Sequence, residues 1–126
     1  MRVVTWNLNG IRAAYRKGLY DFIDRIDADV MLFQEVRALP EQMPKDWSEP
    51  EGYDVIWHPA HRKGYSGVMA CSRVGMEEIG RGIDTDLDES RDPEGRVLHT
   101  MHNGMHCVNI YPVSYTHLRA HETCHN

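Results

Sequence analysis

The stretch "ADVMLFQEVR", residues 28–37, decides how the rest of the chain is read. Val30, Met31, Leu32 and Phe33 stand in succession, which fits a strand buried on both faces; a buried helix segment of that length shows the same pattern. The run stops on Gln34 and Glu35. If it is a strand, Glu35 stands at the carboxyl end, the edge where open α/β sheets bind ligands. A solvated loop glutamate is the plainer alternative.

The flanks favour the strand. Upstream, "MRVVTWNL" alternates as a strand should, and Asn9-Gly10 breaks it. Ile11, Tyr15, Leu19, Phe22, Ile23 and Ile26 then recur at helical spacing, with Arg12, Arg16, Lys17, Asp21, Asp24 and Arg25 on the polar face. Gly18 is predicted to split this segment into a short helix and a longer one. Downstream of a Pro- and Glu-rich loop (39–52), strands are predicted at "YDVIWH" (53–58), "GVMACS" (67–72) and "MEEIGRGI" (76–83). The acidic segment 84–95 reads as surface loop. "RVLHTMHNGMHCVNIY" (96–111) reads as a hairpin about Asn103-Gly104, the preferred pair for a type I′ turn. That register sets His102 opposite Met105 and Val97 opposite Ile110. It places Val97, His99, Met101, His106, Val108 and Ile110 on one face, taken as the core side, with Tyr111 on the other. An early βαβ unit followed by antiparallel strands is a mixed α/β pattern. It carries no dinucleotide fingerprint, Walker A loop or nucleophile elbow.

At 126 residues, 41% hydrophobic and a net charge of −5, the composition fits one soluble core without a membrane span. The opening residues have no apolar h-region and no small-residue cleavage site, and Cys71, Cys107 and Cys124 show no C-x-x-C spacing. Both features predict a cytoplasmic protein with reduced thiols. The acidic balance does not advertise a nucleic-acid binder, but local action on DNA needs only a basic patch.

Five polar segments form an ordered set: "WNLNGIRA" (6–13), "ADVMLFQE" (28–35), "KGYSG" (63–67), "EGRV" (94–97) and "VNIY" (108–111). In order and spacing they resemble the N-terminal half of the exodeoxyribonuclease III and AP endonuclease family, within the endonuclease/exonuclease/phosphatase superfamily. Phe33 and Arg37 stand where that family more often has a smaller aliphatic residue and a lysine. The resemblance implies an α/β fold, the N-terminal half of a four-layer α/β sandwich with two packed mixed sheets flanked by helices. It implies a DNA-repair nuclease, both 3′-5′ exodeoxyribonuclease and abasic-site endonuclease, monomeric at full length. Its partner would be duplex DNA with abasic sites or 3′ ends. By resemblance Glu35 binds the catalytic Mg²⁺ (or Mn²⁺), a cation that favours oxygen ligands and keeps several waters. Asn7 and Asn9 line the same metal site, with plain turn chemistry as the other explanation of Asn7-Leu8-Asn9-Gly10. Tyr111 matches the tyrosine that contacts the scissile phosphate. Arg12, Arg16 and Lys17, and in the loop Arg62, Lys63 and Tyr65, take the places that grip DNA; a solvated helix face and an ordinary turn are the plain alternatives.

From Pro112 onward the family pattern stops, and "VSYTHLRAHET" resembles a translated sequencing adapter. The expected division is therefore residues 1–111 as a truncated domain supplying about one sheet, and 112–126 as a disordered non-family tail. Because the family's water-activating Asp and His lie in its C-terminal half, this chain alone is expected to be inactive, with one apolar sheet face open. Two other readings compete: a superfamily phosphatase or phospholipase acting on something other than DNA, and a short non-catalytic metal-binding or interaction protein. The second would use His117, His121, Cys124 and His125 as zinc ligands.

Overall fold

The computed structural model describes residues 1–82 and 92–112. The tail histidines and most of the acidic loop lie outside the described residues. The chain runs β1 (Val3–Asn7), α1 (Ile11–Arg16), α2 (Leu19–Ile26), β2 (Val30–Gln34), a 3-10 turn (Pro40–Gln42), β3 (Asp54–His58), β4 (Val68–Ser72), β5 (Glu77–Arg81), β6 (Val97–His102) and β7 (Met105–Ile110). Gly18 separates the two helices as its low helix propensity predicts.

The apolar run forms β2, an inner strand of a four-stranded sheet ordered β1-β2-β4-β3. It pairs parallel with β1 and antiparallel with β4, while β3 pairs antiparallel with β4. Both its faces are buried, as read from the sequence. Met31 and Phe33 point into a core with Leu8, Ile11, Leu19, Ile23, Met69 and Cys71, under the helices. Val30 and Leu32 point the other way, into a core with Val68, Ala70 and Leu98. Each such side chain contributes roughly 1.5–3 kcal/mol through burial.

Leu98 belongs to a second sheet, ordered β5-β6-β7, and its burial against β2 and β4 shows that the sheets pack face to face. Two expectations are corrected here. The described residues supply a four-stranded sheet and a three-stranded one, not one sheet. The hairpin register is as expected, from Val97–Ile110 to His102–Met105, but its core side is the reverse of the expected one. Leu98, Thr100, His102 and Asn109 are buried, whereas Val108 and Ile110 are 51% and 49% exposed on the outer face. Only Val97 of the expected set is buried.

The reason is hydrogen bonding. The Asn109 amide donates to the carbonyls of Phe33 and Met69, at 3.1 and 3.0 Å, and its oxygen accepts from Gln34 Nε2 at 2.8 Å. His102 lies 2.8 Å from the Thr100 hydroxyl and 2.9 Å from the Gly75 carbonyl. Polar groups so paired are buried at little cost, and hydrophobicity alone cannot see the pairing. Among the described residues, the exposed apolar side chains of this hairpin, Val108 and Ile110, lie on the outer side of the second sheet.

Candidate active site

The carboxyl ends of β1 and β2 lie side by side, Asn7 paired with Gln34. The chain beyond each strand stays in contact: the amides of Leu8, Gly10 and Ile11 donate to the carbonyls of Gln34, Glu35 and Val36. The amides of Val36 and Arg37 donate in turn to Gly67 and Ser66. Holding these segments together requires left-handed backbone at Asn9, Glu35, Arg37 and Ser66, with φ between 49° and 59°. Strain gathered in this way is characteristic of functional edges, and it fixes the direction of the Glu35 side chain.

The Glu35 carboxylate, 14% exposed, is paired with the Arg37 guanidinium. Tyr111 follows the end of β7, and its amide donates to the Arg96 carbonyl at 2.7 Å. Burial first, and then the negative charge of the Glu35 carboxylate, raise the Tyr111 phenol above the ordinary pKa of 10.0. Asn7 and Asn9 stand at the same edge, where the Asn7 side-chain oxygen accepts the Asn9 amide at 3.0 Å. That contact is turn chemistry, and it leaves the Asn7 oxygen its second lone pair.

Arg96, in "EGRV", is the residue that the sequence reading left without a role. It is 8% exposed, paired with Glu94, and donates from Nη2 to the Tyr65 hydroxyl at 2.7 Å. Its guanidinium carbon lies 5.4 Å from the Tyr65 ring centre and 5.3 Å from that of Tyr111, within cation–π range of both. Nη1 is buried and has no hydrogen-bond partner among the described residues. A buried cationic donor left unsatisfied is costly.

The expected DNA contacts divide in two. Tyr65, 38% exposed, belongs to this edge through Arg96, and Arg62 stacks 5.8 Å above its ring; Lys63 beside them is exposed. Arg12 sits in the first turn of α1, next to the Gly10–Glu35 contact. Arg16 and Lys17 are exposed at the far end of that helix, roughly 6–8 Å further along its axis. The hairpin histidines do not assemble. His102 is internal, whereas His99 and His106 pair at 2.8 Å on the outer face. Among the described residues no group of three or more His, Cys, Asp or Glu side chains could hold a metal ion.

A mixed α/β sandwich with polar side chains gathered at its strand ends defines the class. The chain belongs to the Endonuclease/Exonuclease/phosphatase family, whose sequence profile matches residues 4–121. Within that family it is similar to the exodeoxyribonuclease of Bacillus subtilis, 32% identical over 112 residues, 88% of this chain and 42% of that protein. It is also similar to the DNA-(apurinic or apyrimidinic site) endonuclease of Dictyostelium discoideum, 28% identical over 111 residues, 88% of this chain and 30% of the relative. The solved structure of a 3′-5′ exonuclease from Neisseria meningitidis shares the fold, with a TM-score of 0.74 at 21% identity, covering 98% of this chain and 48% of that one. The chain thus spans less than half the length of each.

Proposed function

We propose that this chain forms one side of the active site of a Mg²⁺-dependent DNA-repair nuclease, which cleaves phosphodiesters at abasic sites and 3′ ends. The observation that carries the proposal is the gathering of Glu35, Tyr111 and the Arg96 guanidinium, which lies 5.3 Å from the Tyr111 ring centre. Glu35 and Asn7 offer only oxygen donors, a set that suits a hard cation with few protein ligands and several waters; Mn²⁺ fits the same description. They would hold the ion, with Asn9 beside them, and the bound ion would neutralise charge on a phosphate.

The chain's own groups do the rest. Tyr111, its pKa raised, remains a phenol at neutral pH and donates to a phosphate oxygen. The Arg96 guanidinium supplies positive charge for the phosphate, preorganised between the two tyrosines. Arg12, Arg16, Lys17, Arg62 and Lys63 hold the DNA backbone, and Tyr65 packs against the duplex. Because the resemblance puts the family's water-activating Asp and His in its C-terminal half, the isolated chain is expected to turn over no DNA.

Binding to a fluorescent abasic duplex tests this. Affinity should fall linearly with log salt, with a slope near −0.9 per phosphate contacted. Mg²⁺ should tighten binding, and Glu35→Gln should abolish that effect. Absence of binding at low salt sinks the proposal. Mg²⁺-stimulated cleavage that disappears in Glu35→Gln would refute the inactivity of the isolated chain.

A further inference from the structure

Behind Arg96 lies a buried polar array that phosphate binding does not itself use. His58 ends β3 at 5% exposure, and its two ring nitrogens meet different partners. Nδ1 lies 3.2 Å from Arg81 Nη1, and Nε2 lies 2.6 Å from Asp92 Oδ2. A guanidinium can only donate, so Nδ1 must accept, and the imidazole proton sits on Nε2 facing Asp92. Arg81 is itself fixed by Glu78 through Nε and Nη2, at 3.1 and 3.0 Å.

The same Asp92 oxygen accepts the backbone amides of Arg96 and Val97, at 3.0 and 2.9 Å. One carboxylate oxygen thus gathers three N–H groups and sets the turn from which Arg96 leaves. Burial pushes the Asp92 carboxyl up, but the His58 contact and the two amides outweigh it and hold it below the ordinary value of 3.8. The turn is pressed against the end of β3: Gly95 has φ +60°, and a Cβ there would lie 2.7 Å from the His58 carbonyl oxygen. His61 N–H also bonds to the Pro93 carbonyl at 2.7 Å. Among the described residues His58 is the one side chain hydrogen-bonded to both Asp92 and Arg81.

We propose that His58 is a positioning residue: accepting from Arg81 at Nδ1 and donating from Nε2, it locks Asp92 so that the 92–97 turn presents the Arg96 guanidinium between Tyr65 and Tyr111. The proposal rests on the phosphate-binding role given to Arg96 above. His58 touches neither DNA nor metal in this scheme. Its effect passes through Asp92 to the amides of Arg96 and Val97, and from the Arg96 carbonyl to Tyr111.

The test compares His58→Gln, which can still donate to Asp92 and accept from Arg81, with His58→Phe, which fills the space without polar atoms. His58→Asn, too short to reach both partners, replaces the Phe variant should that not fold. The first readout is amide hydrogen exchange, independent of DNA. His58→Phe should speed exchange at Arg96 and Val97 on the order of tenfold while the β2 amides keep wild-type rates, and His58→Gln should restore protection. Equal acceleration throughout, or none at these two amides, overturns the proposal and leaves His58 a packing residue.

The second readout is the salt dependence of abasic-duplex binding. Arg96→Gln should lower the slope by about 0.9, His58→Phe by a similar amount, and the double variant no further. If exchange changes as expected but Arg96→Gln keeps the wild-type slope, the phosphate role of Arg96 fails while the positioning of the turn stands.

Discussion

Asn109→Ala separates the observed packing of the hairpin from the packing its hydrophobic pattern predicts. Asn109 is 2% exposed and makes three hydrogen bonds across the interface between the sheets. Truncation removes two donations to the Phe33 and Met69 carbonyls, a net loss of about 1 kcal/mol each. The third bond costs less, because Gln34 Nε2 keeps Thr5 Oγ1 and the Leu32 carbonyl, at 2.8 and 3.1 Å. The void left at the sheet interface adds about 1 kcal/mol. The sum is about 3 kcal/mol. Val108→Ala, on a side chain 51% exposed, should cost under about 0.5 kcal/mol.

Urea unfolding followed by tryptophan fluorescence reads both, since Trp6 and Trp57 pack on the first core. With m near 1.5 kcal/mol/M, Asn109→Ala should lower the midpoint by about 2 M and Val108→Ala by less than about 0.4 M. The opposite ranking would mean that Val108 and Ile110 face the core and that the sheets do not meet as described. A shift below about 0.5 M for Asn109→Ala would refute the hydrogen-bond account by itself.

Two further outcomes follow from the same contacts. Asp92 has a folded pKa below its ordinary 3.8, so its stabilisation is complete above that value and is lost as pH falls through the lower one. The midpoint gap between the wild type and Asp92→Asn should therefore narrow from pH 6 to pH 3, and an unchanged gap would show that ionised Asp92 stabilises nothing. Gly95→Ala should destabilise severely, because the added Cβ meets main-chain atoms of residues 58–60 at 2.7–2.8 Å; a midpoint within about 0.5 M of wild type would show that the 92–97 turn does not press on β3.

Much of the fold was legible because apolar patterning reports burial directly. The unbroken run at 30–33 could satisfy its side chains only on two buried faces, and the Asn-Gly pair set the hairpin register correctly. The core side of that hairpin was not legible for the same reason. Its outer face carries Val97, Met101, Val108 and Ile110, while its inner face carries Thr100, His102 and Asn109. A hydrophobicity count weighs those inner residues as exposed, because it cannot know that the Phe33 and Met69 carbonyls wait for the Asn109 amide.

The candidate site shows the same division. Glu35 stood out because it interrupts an apolar run at a strand end, and Tyr111 because the resemblance supplied a role that β-propensity could not. Arg96, Asp92 and His58 carry no periodic signal: each lies at an element end or in a turn, and each looks like a surface residue. Their meaning depends on partners up to 34 positions away, among them the Asp92 carboxylate that joins the Arg96 amide to the His58 ring. The "EGRV" motif marked the place without revealing that its arginine is buried between two tyrosines. Apolar spacing therefore located the scaffold, whereas the groups that aim the site became visible only once the chain was folded around Asp92.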